Sequence, residues 1–146
     1  MRIIITGAAG YIGSVLSDHL SLTKHKIWGI DILRYNQNIP PIYSSPNLSF
    51  LKEDITDQSN IQKLIKDINP QCIIHLASIV GAPECEKFPI DAIKTNTEST
   101  RLLLNNISPD VLFLSANTNS QYGTVPDHIL CDENTPTNPL SLYAIT

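Results

Sequence analysis

The stretch that decides the fold lies at the amino end and reads Ile3-Ile4-Ile5-Thr6-Gly7-Ala8-Ala9-Gly10-Tyr11-Ile12-Gly13. A short apolar run, typical of a buried parallel strand, leads directly into a turn that contains three glycines. An amphipathic helical pattern follows at once. This order of strand, glycine turn and helix indicates a dinucleotide-binding βα unit, and the context makes it more specific than the glycines alone.

Each glycine of this turn has its own expected task. Gly7 lets the chain turn sharply, Gly10 lets the backbone approach a pyrophosphate, and Gly13 lets the helix pack closely against the strand. The free N–H groups and positive dipole of the helix N-terminus would face the phosphates. The candidate cofactor-binding residues of the turn are Gly7, Ala9, Gly10, Tyr11, Ile12 and Gly13.

An acid at the end of the second predicted strand adds a signal for ribose binding. Asp31 lies 18 positions after Gly13, near the spacing at which a carboxylate meets the adenine ribose. Such a carboxylate accepts hydrogen bonds from both ribose hydroxyls and repels a 2′-phosphate, so it favours NAD over NADP. Arg34 works against that preference, and a solvated aspartate at a strand end is the alternative interpretation of Asp31.

Length and composition narrow the class of protein. With 146 residues, 42% hydrophobic and 16% charged, the chain suits one globular domain over residues 1–146. A net charge of −4 without a basic run argues against nucleic acid and membrane surfaces as partners. Three cysteines without CxxC spacing favour free thiols in a reducing cytoplasm. The histidines and cysteines show no spacing typical of metal ligands, so we expect no metal site.

Apolar runs alternate with helical patterns along the chain, which predicts βαβ units and a parallel sheet. The expected fold class is α/β, a Rossmann-like doubly wound sheet with strand order 3-2-1-4-5 and helices on both faces. Residues 33–46 are polar and proline-rich and are predicted to form an irregular loop. The predicted strands are Ile3–Thr6, Lys26–Asp31, Leu48–Leu51, Gln71–Leu76 and Val111–Ser115.

Three helical patterns connect these strands. The second helix is expected to begin at a cap formed by Asp57 or Thr56 and to stop before Pro70. The third is predicted to run from about Ile90 to Ile107. The residues expected to face inward are Ile12, Val15, Leu16 and Leu20 in the first helix, and Ile93, Thr97, Leu104 and Ile107 in the third.

The order of motifs resembles the nucleotide-sugar epimerases and dehydratases of the extended short-chain dehydrogenase/reductase superfamily. Thr6–Gly13 matches the family's TGxxGxxG, and residues 75–78 match its HLAA, whose backbone lies along the cofactor. Residues 96–100 match its NxxGT, with Ser99 where glycine is usual. The cofactor-binding residues that this resemblance adds are Asp54 and Ile55 (at the adenine ring), Leu76, Ala77, Ser78 and Asn96.

The resemblance also implies a catalytic pair. Residues 114–123 are similar to the family's SSSxxxYG, and counting back from Tyr122 places the catalytic hydroxyl at Thr118, with Ser120 as a second candidate. Residues 133–143 repeat the family's E..P..P.S.Y pattern, in which Tyr143 is the general base.

A phenol ordinarily titrates near pH 10. The family therefore pairs its tyrosine with a lysine four residues later, which would be position 147, one beyond Thr146. We expect the chain to be the N-terminal part of a longer enzyme, and to bind a nucleotide weakly and catalyse little by itself.

The function implied by the resemblance is that of an NAD-dependent oxidoreductase acting on a nucleotide-linked sugar. The residues do not distinguish an epimerase from a dehydratase or a reductase. The alternative is a dinucleotide-binding module without catalysis, which senses redox state or acts as a scaffold. A P-loop domain is disfavoured, because no Gly-Lys-Ser/Thr follows the first strand.

Other residues have simpler expected roles. His75 is expected to be buried with both ring nitrogens hydrogen-bonded, and Glu84 and Glu86 to lie at a solvated helix start. Cys85 shows no sign of a neighbouring base that would activate it. The strand at 111–115 would be an uncovered apolar edge, so we expect self-association through it or a homodimer of the family type.

Overall fold

The computed structural model describes residues 1–35, 45–126, 128 and 130–146. Five parallel strands form one sheet in the order β3-β2-β1-β4-β5. The strands are β1 (Arg2–Thr6), β2 (Lys26–Asp31), β3 (Leu48–Lys52), β4 (Cys72–His75) and β5 (Leu112–Ser115). The predicted fold class, strand order and strand positions are confirmed, with strand ends that differ by at most one residue. Of the predicted loop over 33–46, residues 36–44 lie outside the described residues.

The helices cover both faces of the sheet. They are α1 (Tyr11–Ser21), α2 (Gln58–Ile68), α3 (Ala82–Lys87), α4 (Pro89–Ala92), α5 (Ser99–Asn106) and α6 (Leu142–Ile145). A π-helical segment, Ile93–Glu98, joins α4 to α5, and a 3-10 helix covers Asn119–Tyr122. Within the described residues, none of the helices has the length and apolar character needed to cross a bilayer.

Two apolar clusters hold the helices on the sheet. On one face, Ile4, Ile30 and Ile73 pack with Ile61 of α2 and Leu103 of α5. On the other face, a cluster of Ile3, Ile5, Ile27, Leu48 and Cys72 packs against Leu16 and Leu20 of α1. Strand side chains alternate between the two faces, so β1 contributes to both clusters.

The cap of α2 follows the sequence prediction. Asp57 is the N-cap residue, and its carboxylate accepts the N–H groups of Ser59 and Asn60 at 2.9 and 3.2 Å. The carboxylate also accepts the Ser59 hydroxyl. That hydrogen bond makes the largest contribution to the lowered pKa of Asp57, and the backbone N–H groups add to it. The helix ends at Ile68, and Asn69 adopts a left-handed conformation before Pro70. Asp57 rather than Thr56 is therefore the cap.

The predicted inward face of α1 is wrong for two residues. Ile12 and Val15 are 60% and 67% exposed, whereas Gly13, Ser17 and Ser21 are buried. Small side chains let the helix axis approach the sheet closely, so the close-packed side of α1 is the glycine and serine side. The periodicity of large apolar residues therefore misplaced the buried face by part of a turn, although Leu16 and Leu20 do pack inward.

The predicted inward residues of the third helix are also mostly wrong. Ile93, Thr97 and Leu104 are exposed, and of the predicted set only Ile107 packs against the core. The buried residues of this region are Ala92, Ser99 and Leu103. The predicted extent of the helix is confirmed. Its π-helical segment advances by more residues per turn than an α-helix, so a constant period of 3.6 residues fails across it.

Candidate functional site

The candidate site lies where the loops after β1 and β4 meet. These strands are neighbours in the sheet, yet their outgoing connections run in opposite directions, to β2 on one side and β5 on the other. This reversal of strand order opens a crevice at the carboxyl ends of parallel strands, the usual ligand position in doubly wound sheets.

The three glycines occupy three different environments. Gly7 has φ +69°, and a Cβ there would lie 2.7 Å from the backbone N of Ala77, so the turn presses against the loop after β4. A Cβ on Gly13 would lie 2.1 Å from the carbonyl oxygen of Gly7, which shows how tightly α1 packs on the turn. Gly10 differs, because among the residues that the structure describes its Cβ would meet only the Gly7 carbonyl oxygen, at 3.1 Å.

The N-terminus of α1 opens from this turn. Gly10 is its N-cap residue in extended conformation, and no side chain within the described part of the sequence caps the helix. The first N–H groups of a helix lack intrahelical acceptors, and they carry the positive end of the helix dipole. Tyr11 and Ile12 are 93% and 60% exposed. This arrangement can receive an anionic group without displacing any side chain at Gly10.

The carboxylate of Asp31 ties the end of β2 to the glycine turn. One oxygen accepts the N–H of Ala9 at 3.0 Å, and the other accepts the N–H of Leu33 at 2.8 Å. Asp31 is half-buried. Ala9 and Asp31, which the sequence placed in one site, are therefore in direct contact.

The acid–apolar pair after β3 is divided between two environments. Asp54 accepts the N–H and the hydroxyl of Thr56, both at 2.8 Å, which shapes the turn that leads to α2. Ile55 is 6% exposed and belongs to the core cluster under α2.

The loop after β4 is fastened at both ends. The Thr6 hydroxyl oxygen accepts the N–H groups of Leu76 and Ala77, each at 3.2 Å. At the other end, Asn96 accepts the N–H of Ile79 at 2.8 Å and donates to its carbonyl at 3.1 Å. The side chain of Asn96 thus holds the loop, and Ser78 between the two anchors is exposed.

His75 is buried at the end of β4, as predicted. Its side chain is hydrogen-bonded through both ring nitrogens, to Thr6 at 2.7 Å and to Thr100 at 3.0 Å. Burial lowers the pKa of His75 to about 4, which keeps the imidazole neutral at pH 7. Among the described residues, no group of three or more histidines, cysteines or acids is placed to hold a metal ion.

Thr118 lies just after β5 and begins the 3-10 helix. Its hydroxyl oxygen accepts the N–H of Ser120 at 3.2 Å and lies 3.2 Å from the Ser120 hydroxyl. The two candidate hydroxyls are therefore adjacent. The Tyr122 hydroxyl is engaged elsewhere, donating to the carbonyl of Asp132 at 3.0 Å.

Tyr143 stands on α6, which packs against α3 and also lies against the 3-10 helix. Ser141 caps α6 through the N–H of Ala144, at 3.2 Å. Tyr143 is partly buried and packs against the cluster formed by Ile79, Cys85 and Ala92. The elements that carry Tyr143 and Thr118 are thus neighbours, although 24 residues separate the two in sequence.

Cys85 lies beneath this region and is fully buried. Its thiol donates to the carbonyl of Ile79 at 3.2 Å, and burial, as the largest contribution, raises the pKa of the thiol. A thiol with a raised pKa is a poor nucleophile, in agreement with the sequence. The three cysteines of the chain are free thiols.

Sequence reasoning missed two features of the site. Thr6 and Thr100 flank His75 on both sides, but the three residues are too far apart in sequence to show that they meet. The second is the ion pair between Arg34 and Asp91, at 2.9 Å. Both threonines stand inside matched motifs, which is the only signal that pointed to them.

The comparisons with known proteins agree with this geometry. The family model of GDP-mannose 4,6 dehydratase matches residues 4–146. A probable dTDP-glucose 4,6-dehydratase of Sinorhizobium fredii is 30% identical over 99% of this chain and 45% of its own length. A UDP-glucose 4-epimerase of Mycolicibacterium smegmatis is 33% identical over 99% of this chain and 47% of its own.

A solved structure shows the same architecture with a cofactor. The dTDP-glucose 4,6-dehydratase of Bacillus anthracis in complex with NAD superposes with a TM-score of 0.82 and 28% identity, over 99% of this chain and 46% of that one. The chain thus spans about half the length of the relatives it matches. The match over nearly all of its residues shows that the chain belongs to the GDP-mannose 4,6-dehydratase family, among the NAD-dependent nucleotide-sugar epimerases and dehydratases.

Proposed function

We propose that this chain is the NAD-binding part of a nucleotide-sugar epimerase or dehydratase. The observation that carries the proposal is the glycine turn. Gly7 and Gly13 are close-packed, while Gly10 leaves space in front of an uncapped helix N-terminus. Space, free N–H donors and the positive end of a dipole are what a pyrophosphate requires.

The residues present fit NAD at this crevice. Gly10, Tyr11 and Ile12 would hold the pyrophosphate through the backbone, and Asp31 would meet the adenine ribose at the end of β2. The loop from Leu76 to Ser78 would border the other half of the cofactor. NAD bound by these residues would supply a reversible hydride acceptor for the oxidation of a sugar carbon.

The sugar chemistry falls to the residues after β5. Tyr143 is proposed to accept the proton of a substrate hydroxyl, and Thr118 to donate a hydrogen bond to a substrate oxygen. Ser120, whose hydroxyl lies 3.2 Å from that of Thr118, is the alternative donor. The relatives named above include a probable dehydratase and an epimerase, which supports a nucleotide sugar as the proposed substrate class.

Calorimetric titration with NAD tests the proposal. Gly10 has φ −72° and ψ 176°, a conformation open to any residue, so Gly10→Val should fold. Its side chain would fill the pyrophosphate space and abolish binding. His19→Val, at an exposed position of the same helix, is the control and should bind like the wild type. Undiminished NAD affinity in a folded Gly10→Val variant would show that the phosphate assignment is wrong.

The catalytic roles need a separate assay on the longest product of the gene. Tyr143→Phe should abolish conversion of a nucleotide sugar while leaving NAD affinity unchanged. If a product that binds NAD converts none of the common nucleotide sugars, it is a binding module without catalysis.

A further inference from the structure

A chain of side-chain hydrogen bonds runs through the buried end of β4, and neither the glycine turn nor the catalytic pair explains it. The hydroxyl of Thr6 lies 2.7 Å from Nδ1 of His75, and Nε2 of His75 lies 3.0 Å from the hydroxyl of Thr100. Thr100 in turn donates to the carbonyl oxygen of Asn96 at 2.9 Å. Thr6 is 0% and His75 4% exposed, so water cannot substitute for these partners.

The direction of each hydrogen bond follows from counting donors and acceptors. The Thr6 hydroxyl oxygen accepts the N–H of Ala77 and shares the N–H of Leu76 with the Thr6 carbonyl oxygen, each at 3.2 Å. The Thr100 hydroxyl gives its one proton to the Asn96 carbonyl, so it can only accept from Nε2 of His75, and Nδ1 is left to accept the proton of Thr6. The neutral imidazole then carries its own proton on Nε2 and donates it to Thr100. With this tautomer, the side chains of Thr6, His75 and Thr100 all have hydrogen-bond partners of the right kind.

This series of hydrogen bonds ends at Asn96, the residue that also holds the second end of the loop after β4. Asn96, in the π-helical segment, holds the N–H and the carbonyl of Ile79 and also donates to the hydroxyl of Thr146 at 3.1 Å. Thr146 directly follows α6, which carries Tyr143. The hydrogen bonds therefore close a ring around the loop over 76–79, from Thr6 at one end to Asn96 at the other.

We propose that His75 and Thr100 are positioning residues, which set the loop over 76–79 relative to the glycine turn and to the helix that carries Tyr143. They act through Thr6 and Asn96 rather than by touching a ligand. The neutral Nε2–H form of His75 is required, because Thr100 gives its proton to the Asn96 carbonyl and has none left to donate to a bare Nε2. The expected change in NAD affinity rests on the proposed function. The expected changes in amide exchange and the tautomer of His75 do not.

Thr100→Val tests the proposal, since valine matches the shape of threonine but removes the hydroxyl. Amide hydrogen exchange should become about tenfold faster at Ile79 and Ala77, and NAD affinity about fivefold weaker, the size expected from one lost hydrogen bond. Thr100→Ser should restore both values. Thr95→Val is the matched control on the same helix, because its hydroxyl has no hydrogen-bond partner among the described residues, and it should behave like the wild type.

The tautomer is measured on the wild-type chain by nitrogen NMR of the His75 ring at pH 7. A proton on Nε2 with Nδ1 free supports the proposal, and a proton on Nδ1 overturns it. A Thr100→Val variant with wild-type loop exchange and affinity also overturns it, even if its melting temperature falls. If the wild type binds no NAD, the proposed function fails, and the exchange and tautomer measurements still decide this inference.

Discussion

Arg34 reaches from the segment after β2 to the start of α4, where its guanidinium lies 2.9 Å from the carboxylate of Asp91. The same guanidinium lies over the ring of Phe88, 5.0 Å from its centroid. The hydrogen bond with Asp91 is the largest contribution that raises the pKa of Arg34. Arg34, the cation that the sequence placed near the adenine ribose, is therefore already paired with Asp91.

This pairing predicts a change in cofactor preference when Asp91 is neutralised. Asp91→Asn should release Arg34 to attract a 2′-phosphate and raise NADP affinity relative to NAD. The gain should be about 1.4- to fivefold, because a partly exposed ion pair contributes ~0.2–1 kcal/mol. Calorimetric titration with both cofactors measures the ratio. Adding Arg34→Gln should remove the gain, and a ratio that stays constant in Asp91→Asn would contradict the assignment.

Asp31 is predicted to stabilise the chain even without a cofactor. Asp31→Ala would leave the N–H groups of Ala9 and Leu33 without their acceptor and should lower the free energy of unfolding by about 2 kcal/mol, as for a hydrogen bond to a charged group. Asp31→Asn keeps one acceptor oxygen, so its free energy of unfolding should lie between those of Asp31→Ala and the wild type. Urea denaturation without NAD checks this. Equal stability of Asp31→Ala and the wild type would mean that Asp31 serves the ribose alone.

The buried imidazole of His75 predicts a pH dependence of stability. Its pKa is about 4 in the folded chain against an ordinary value of 6.5, so between these values the unfolded chain binds more protons. The contribution of His75 to the free energy of unfolding has its full value well above pH 6.5 and declines as the pH falls toward 4. The loss at pH 4 should be roughly 3 kcal/mol.

Comparison with His75→Gln isolates that contribution from the acids that titrate in the same range. The difference in free energy of unfolding between wild type and variant, measured by urea denaturation from pH 7 to 4, should shrink as the pH falls. A difference that stays constant or grows would be incompatible with a neutral, buried His75.

Gly13 and Gly10 should differ in their tolerance of a methyl group. Gly13→Ala would bring a Cβ to 2.1 Å from the Gly7 carbonyl oxygen, so the free energy of unfolding should fall by about 3 kcal/mol or more. Gly10→Ala meets the same oxygen at 3.1 Å and should cost less than about 1 kcal/mol. Thermal or urea unfolding of both variants gives the comparison. Equal losses would mean that α1 does not pack on the turn as described.

The exposed strand β5 leads us to propose that the isolated chain self-associates. Leu112 and Leu114 are 50% and 46% exposed on the last strand of the sheet, where unpaired backbone groups can pair with another chain. Light scattering should show an apparent mass that rises with concentration. Leu114→Lys should reduce the association, with Leu130→Lys at an exposed position outside the sheet as control. A monodisperse monomer at high concentration would refute the proposal.

The sequence predicted what depends on local order along the chain. Alternating apolar runs and helical patterns sufficed for the positions of the five strands, and the spacing of Gly7, Gly10 and Gly13 sufficed for the turn. The order of the strands in the sheet was implied by the family resemblance. Asp57 was recognisable as a cap because its contacts lie within three residues. These features follow from backbone geometry and neighbouring side chains, which are readable without knowing what lies across the sheet.

Only the tertiary structure decided which groups meet across the fold. Small residues at Gly13 and Ser17 brought α1 close to the sheet and left Ile12 exposed, and the π-helical segment shifted the buried side of the following helix. The partners of His75 and Arg34 come from elements 25 to 69 residues away. Such contacts depend on how closely helices approach the sheet and on a local helical pitch, neither of which hydrophobic periodicity records.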